Sequence, residues 1–291
     1  MSDRFTHDVV VCVHNGLGDV KLCLNSLVSH WDRDRLHRLI IVDDCSNDET
    51  RSFLDSFSSQ HDFVDLLHLQ SQHYYTKAAN AGLRASQANL RTLLNSDTIA
   101  TKNWWRKIQK VFTMSPVVGI VGPLSNAAST QSVPFVKSSK DQTAINDLPL
   151  GVSIDSFGDY IEQVGFSVVT PFVPLVHGFC LTIRDVVLKE IGFFDEEAFP
   201  RGYGEENDFC FRAEDAGFVL AIAVDTFIFH AKSKSYTSSD RVKFMHDGML
   251  NFSKKHGADR IKKAVSFMEQ NIHLQSVRDA VLAKWPKHYG A

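Results

Sequence analysis

Apolar and polar positions alternate along the first half of the chain in two registers. Short runs of strand length, DVVVCV (8–13), RLIIVDD (38–44), FVDLLHL (63–69) and LRTLLN (90–95), are mainly apolar. Between them lie DVKLCLNSLVSHW (19–31), DETRSFLDSFSS (48–59) and TKAANAGLRASQ (76–87), whose apolar residues recur at helical spacing. A further helix around Trp104 and Trp105 and the run VVGIVGP (117–123) continue the series. Continuous apolar strands are buried on both faces, so the alternation predicts a parallel sheet covered by helices. Ligands of such sheets bind at the carboxyl ends of the strands. His14-Asn15, Asp43-Asp44 and Asn95-Ser96-Asp97 each follow a strand and gather along one rim.

The second half is less regular. From Pro123 to Gly165 the pattern loosens into PLSNAASTQSVPFVKSSKDQ and its continuation, read as a long functional loop within the domain. TPFVPLVHGFCLTIRD (170–185) predicts a strand with proline-limited edges, and VVLKEIG a short helix. In GYGEENDFCFRAEDAG (202–217) a glycine turn feeds a helix that buries Phe209 and Phe211 to Ala213, with Gly217 as its stop. FVLAIAVDTFIFH is a last strand ending at His230. Beyond Ser238 the pattern is helical, with about ten Lys/Arg against about five Asp/Glu.

Composition narrows the class. A chain of 291 residues can bury a sizeable core. It has no run of about 18 apolar residues to span a bilayer. MSDRFTHDVVVCV lacks the long apolar region and small-residue cleavage site of a signal peptide, so a cytoplasmic protein is expected. The five cysteines, Cys12, Cys23, Cys45, Cys180 and Cys210, form no C-x-x-C pair and point to neither a disulfide framework nor a zinc ribbon. A net charge of −3 gives no reason to invoke nucleic acid.

Four segments carry candidate chemistry. VHNGLGDVK imitates a dinucleotide fingerprint, but Lys21 stands at the third glycine position, and a lone G-x-G is an ordinary strand-to-helix turn. In IIVDDCSNDET, Asn47 or Asp48 can cap the next helix, while Asp44 is either a turn residue or an acceptor for the imide N–H of uracil or thymine. Asn95-Ser96-Asp97 is likewise a turn or a metal site, because a diphosphate-bound ion needs only one or two carboxylates. His230 is a structural residue or, if it joins Asp97, a ligand that favours Mn²⁺ over Mg²⁺. Glu205, Glu206 and Asp208 suit the first turn of a helix, which accounts for one or two of them, and Arg212 is placed to pair with Asp208.

Taken in order, VVVCVHN, LIIVDDCSNDET, LLNSDT, HGFCLTIRD, GYGEENDFCFRAEDAGF and FIFH resemble family 2 glycosyltransferases of the GT-A fold, over residues 7–232. VGIVGPLSNAAS resembles bacterial members that build surface polysaccharides. The resemblance implies an α/β GT-A domain over 1–236, with a mostly parallel Rossmann-like sheet, a nucleotide-binding half (7–122) and an acceptor half (123–236). A helical C-terminal extension (237–291) follows. It implies inverting, Mn²⁺- or Mg²⁺-dependent transfer of a sugar from a UDP- or dTDP-sugar to a hydroxyl of a glycan or lipid-linked acceptor. Nucleotide contacts then fall to Cys12, His14, Asn15, Asp44 and Ser96, and metal ligation to Asp97 and His230. Acceptor contacts fall to His177, Gly178 and Asp208. Glu206 matches the catalytic base beside Glu205, though the family usually has the shorter Asp there, and Asn95 replaces the first aspartate of the D-x-D motif.

Two rivals remain at this point, an NAD-dependent oxidoreductase using NGLGD and a catalytically silent GT-A module that binds a partner or glycan. The basic C-terminal helices, with Lys254, Lys255, Arg260, Lys262 and Lys263, are either a solvated face or a peripheral contact with the inner face of a membrane.

Overall fold

A computed structural model describes residues 5–140, 142–232 and 238–290. Met1–Arg4 and the expected boundary between residues 236 and 237 lie outside the described residues. In chain order the first half runs β1 (His7–Val13), α1 (Leu17–Ser29), β2 (Leu39–Asp43), α2 (Asp48–Gln60), β3 (Val64–His68), α3 (Tyr74–Ala85), β4 (Leu90–Asn95), β5 (Thr98–Ala100), α4 (Trp104–Thr113) and β6 (Val118–Leu124). The second half runs α5 (Ile154–Gly165), β7 (Phe172–Val173), β8 (Cys180–Arg184), α6 (Asp185–Ile191), α7 (Glu205–Asp215) and β9 (Val219–His230). Four helices close the chain: α8 (Ser238–His256), α9 (Ala258–Glu269), α10 (Ile272–Lys284) and α11 (Pro286–Tyr289).

The strands form one sheet in the order β3-β2-β1-β4-β8-β6-β9-β5, with β7 beside β9. β3, β2, β1 and β4 are parallel, as the alternation predicts. The sheet as a whole is mixed, because β8 runs antiparallel to both β4 and β6. Direction decides what reaches the rim. β6 and β9 are parallel to each other, so β9 delivers His230 at the edge where β1, β2 and β4 end. β8, running the other way, begins there, and Asn95 N–H donates to the carbonyl of Phe179 just before it.

The stretch expected to be one long loop contains α5. Ser153 caps that helix by accepting from the Ser156 N–H, and Phe157 and Ile161 are buried on its inner face. Gly165 lets it lie on β9, since a Cβ there would sit 2.3 Å from the carbonyl oxygen of Val224. The C-terminal helices share the main core: Phe252, Met268, Leu274, Val277 and Val281 belong to the apolar cluster that also holds Phe157, Phe199 and Phe211. Among the described residues no helix is long and apolar enough to cross a membrane.

Candidate active site

A cavity of about 320 Å³ opens at the rim where these elements converge. Its wall includes Cys12 in β1 and His14 just after it, Asp44 after β2, Ser96 and Asp97 after β4, and His177 and Gly178 before β8. Glu205 and Glu206 at the start of α7, and His230 at the end of β9, also line it.

At one part of the wall His14 and Asp44 are locked together. The Asp44 carbonyl can only accept, so His14 Nδ1 carries the hydrogen across their 2.8 Å contact. His14 Nε2 is then an acceptor for the amides of Asn15 and Gln72, each at 3.1 Å. Asp44 is 3% exposed, and its Oδ1 accepts the His73 N–H at 2.6 Å. Behind it, Asp43 takes the Ser46 N–H and the His68 ring. Burial alone would raise the Asp43 pKa, but those hydrogen bonds prevail and hold it below the usual carboxylate range. Asn15 departs from expectation. It is absent from the cavity wall, and its side-chain oxygen instead accepts the Asn47 N–H at 2.8 Å, bracing one rim turn against the next. Asn47 in turn caps α2 by accepting from the Thr50 N–H.

Sheet register brings Asp97 to His230. β5 pairs antiparallel with β9, Thr98 opposite His230, and Ala231 N–H donates to the Asp97 carbonyl. Asp97 Oδ1 lies 3.2 Å from His230 Nε2. His230 Nδ1 is 3.0 Å from the carbonyl of Ala127, which again can only accept, so in the neutral ring it is Nε2 whose lone pair faces the carboxylate. Two acceptors held that close call for a proton or a cation between them. A carboxylate and an imidazole fit a divalent ion whose remaining positions are filled by phosphate oxygens and water. No group of three His, Cys, Asp or Glu placed to hold a metal gathers among the described residues, so the protein ligands offered by these are Asp97 and His230. The ring of His230 is stacked on Phe179 with centroids 5.6 Å apart, which fixes its aim.

The acidic part of the wall sits at the N-terminus of α7. Gly178 lies directly against it: a Cβ there would meet Glu206 Cβ and Cγ at 3.4 Å, an ordinary van der Waals contact. Glu206 Oε2 accepts the Gly204 N–H at 3.3 Å. Glu205 is 4% exposed and its Oε2 has no hydrogen-bond partner. Burial first, then the neighbouring Glu206, push the Glu205 carboxyl well above its ordinary range. Burial also raises Glu206, while N–H groups at the helix start and Lys232 oppose the rise. Of the pair, Glu205 is therefore pushed further toward its protonated form than Glu206. Close by, His177 is kept neutral, its pKa lowered to about 4 by burial and by Lys232.

Asp208 belongs elsewhere. It is fully buried, absent from the cavity wall, and closed in by Arg212 at 2.8 Å, Lys255 at 2.7 Å and His256 at 2.8 Å. The expected pairing with Arg212 is present, but acceptor contact is replaced by an ion-pair node between α7 and α8. Sequence reasoning missed Tyr75, Arg201 and Lys232 in the wall. No strand-end pattern marks them, although the two cations suit an anionic ligand.

The profile of glycosyl transferase family 2 matches residues 8–142. Residues 8–142 belong to glycosyl transferase family 2. Two curated proteins of Haloferax volcanii are similar to this chain. It is 23% identical over 219 residues to glycosyltransferase AglE, covering 75% of this chain and 64% of that protein. It is 26% identical over 178 residues to the low-salt glycan biosynthesis hexosyltransferase Agl10, covering 60% and 52% respectively. The chain thus spans roughly half to two thirds of the length of these relatives. Solved structures share its GT-A fold. The mannosyltransferase PcManGT from Pyrobaculum calidifontis, in complex with GDP-Man and Mn²⁺, aligns with a TM-score of 0.64 at 16% identity over 98% of this chain and 76% of that one. GalNAc-T7 with UDP, GalNAc and Mn²⁺ gives 0.62 at 14% over 97% and 56%. S. aureus TarS 1–349 with UDP-GlcNAc gives 0.57 at 15% over 96% and 75%. Against this background the NGLGD segment is a turn: Gly16, at φ 70°, is the N-cap of α1, and a Cβ on Gly18 would meet nothing within 4 Å. The family match leaves the oxidoreductase reading without support.

Proposed function

We propose that the glycosyltransferase moves a hexose, with inversion, from a nucleotide-diphosphate donor to a hydroxyl of a glycan or lipid-linked acceptor in polysaccharide or glycan biosynthesis. The observation that carries this is the joint presence in one cavity of two facing metal-ligand acceptors, Asp97 and His230, and a buried acid pair, Glu205 and Glu206. Asp97 and His230 would hold Mn²⁺ or Mg²⁺. Such an ion, when bound, supplies charge stabilisation for the departing diphosphate. Asp44 keeps an oxygen beyond the one used by His73 for a pyrimidine imide, which favours UDP or dTDP donors. His14, Cys12 and Ser96 shape the nucleotide wall, and His177 and Gly178 the acceptor side. Glu206 takes the proton of the attacking hydroxyl as its oxygen bonds to the anomeric carbon and the carbon–phosphate-oxygen bond breaks on the opposite face. Glu205, beside it in the wall, positions the acceptor.

A thermal-shift panel of UDP-, dTDP-, GDP- and CMP-sugars with and without Mn²⁺ tests the reading, because a bound ligand stabilises by mass action. Mn²⁺-dependent stabilisation by UDP- or dTDP-sugars is expected, followed by product of inverted anomeric configuration. Preferential stabilisation by GDP-sugars would displace the pyrimidine assignment, and binding without turnover would make the protein a silent module. A cytoplasmic location with peripheral membrane contact rests on fewer charges than the sequence offers. Lys255 is paired with Asp195 and Asp208, and Arg260 with Glu214 and Asp215, which leaves exposed Lys254, Lys262 and Lys263 to meet anionic lipid. Liposome sedimentation that fails at low salt would end that part of the proposal.

A further inference from the structure

The acid pair follows a turn in which three consecutive residues, Gly202, Tyr203 and Gly204, have φ of 89°, 65° and 121°. A left-handed tyrosine is costly and persists where the surrounding structure over-determines it. Helix α8 faces this turn. Gly248 is buried, and a Cβ built on it would lie 1.7 Å from the carbonyl oxygen of Tyr203 and 2.9 Å from its carbonyl carbon. The two backbones therefore meet with no space for a side chain. From the other side, a Cβ on Gly204 would lie 3.3 Å from the Gly248 carbonyl oxygen.

The same helix grips both flanks of the turn. Before it, Asn251 Nδ2 donates to the Ala198 carbonyl at 2.7 Å. After it, Lys255 and His256 close on Asp208, one turn into α7. A helix that only covered the core would need apolar contacts alone, such as Phe252 on Phe211 with ring centroids 5.1 Å apart. It would not need backbone contact with a left-handed turn.

We infer that Gly248 is a positioning residue for Glu205 and Glu206: backbone contact between α8 and Tyr203 holds the turn that presents both carboxylates to the cavity. The inference rests on the glycosyl-transfer reading above, and makes the C-terminal extension part of the active-site framework.

The test is Gly248→Ala in the full chain. Alanine is the better helix former, so α8 itself gains, while the added methyl must drive the Tyr203 carbonyl away. Affinity for UDP with Mn²⁺ is expected to stay at the wild-type value, because the nucleotide and metal residues lie at the ends of β1, β2, β4 and β9, away from α8. Transfer kcat should fall by about 10–100-fold, the usual consequence of a displacement of about an ångström. Hydrogen exchange of the 202–206 amides should quicken as local protection is lost. Wild-type kcat and wild-type exchange in a folded Gly248→Ala protein would overturn the inference. Should that variant not fold, Asn251→Ala loosens the same contact at a half-buried site, with a smaller kcat loss, unchanged UDP affinity and faster exchange over 198–204 expected; wild-type behaviour there would overturn it equally. If the wild type transfers no sugar, the functional reading fails, and the exchange comparison still decides whether α8 holds the turn.

Discussion

Glu205 and Glu206 differ by one position and by their surroundings. Glu206 receives the Gly204 N–H and feels Lys232, whereas Glu205 is nearly sealed, with one oxygen unpartnered. A base must be ionised where it acts, so Glu206→Gln should lower kcat by about 10²–10⁴-fold and leave nucleotide binding with Mn²⁺ intact, as measured by steady-state kinetics beside titration calorimetry. Near-normal transfer by Glu206→Gln, with Glu205→Gln inactive, would reverse the roles. Glu205 also makes a stability prediction whose sign is fixed. Its folded pKa lies above the unfolded value of about 4.3, so the folded state binds the extra proton and stability falls as pH rises through that window. Glu205→Gln, which has no proton to lose, should melt at a higher temperature than wild type at pH 7, and the difference should vanish below about pH 4, where both states of the wild type are protonated. A lower melting temperature at pH 7 would show that the carboxyl is stabilised by something other than its surroundings as described. Asp97 and His230 share one function if they share one ion. Asp97→Ala and His230→Ala should each abolish Mn²⁺-dependent nucleotide stabilisation, with the double variant little worse than either, because groups that act as a unit are not additive. Retained Mn²⁺ dependence in His230→Ala would make that histidine structural.

At the scale of elements, α5 shows how a helix can be overlooked. Ser153 as cap and Phe157, Ile161 and Gly165 at helical spacing are all visible in the sequence. The polar run before them and two glycines on the inner face, Gly158 and Gly165, weaken the apolar stripe. Those glycines face neighbours that leave no space, Thr101 for Gly158 and the β9 backbone at Val224 and Asp225 for Gly165. Gly165→Ala should gain about 1 kcal/mol of helix propensity and lose about 1–3 kcal/mol to overpacking. The contacted atoms are backbone rather than a flexible tip, so the loss should win, and urea denaturation should show a lower midpoint. A raised midpoint would mean that α5 can shift off β9. The strand ends, by contrast, were legible: Asp44, Asp97 and His230 each close an apolar run, and the carboxyl-end rule places such residues on a rim. What sequence could not show was register. Only the pairing of β5 with β9 sets Asp97 beside His230, and only the packing of α8 under α7 removes Asp208 from the cavity.

For the whole molecule, the question is whether the chain is a catalytic domain with an appendage. Arg278 on α10 is 3% exposed and donates to the carbonyls of Thr130 and Ser132, in the segment that also lines the cavity. Trp285 stacks on Phe157 with centroids 5.3 Å apart, and Tyr160 on α5 donates to the Ala280 carbonyl. Phe252, Met268, Leu274, Val277 and Val281 are buried in the same cluster as the residues beneath the active site. Each such side chain contributes about 1.5–3 kcal/mol on burial, so removing five of them together exceeds the whole stability of an ordinary domain, about 5–15 kcal/mol, or comes close to it. Removal of α8 also strips Asp208 of Lys255 and His256, leaving Arg212 as its remaining partner and opening the ion-pair node to solvent. A chain ending at residue 232 should therefore lack a cooperative thermal transition by circular dichroism and be recovered mainly as insoluble protein. A truncated chain that melted cooperatively and still bound UDP with Mn²⁺ would show that the nucleotide-binding half stands on its own and that the C-terminal helices are an addition to it.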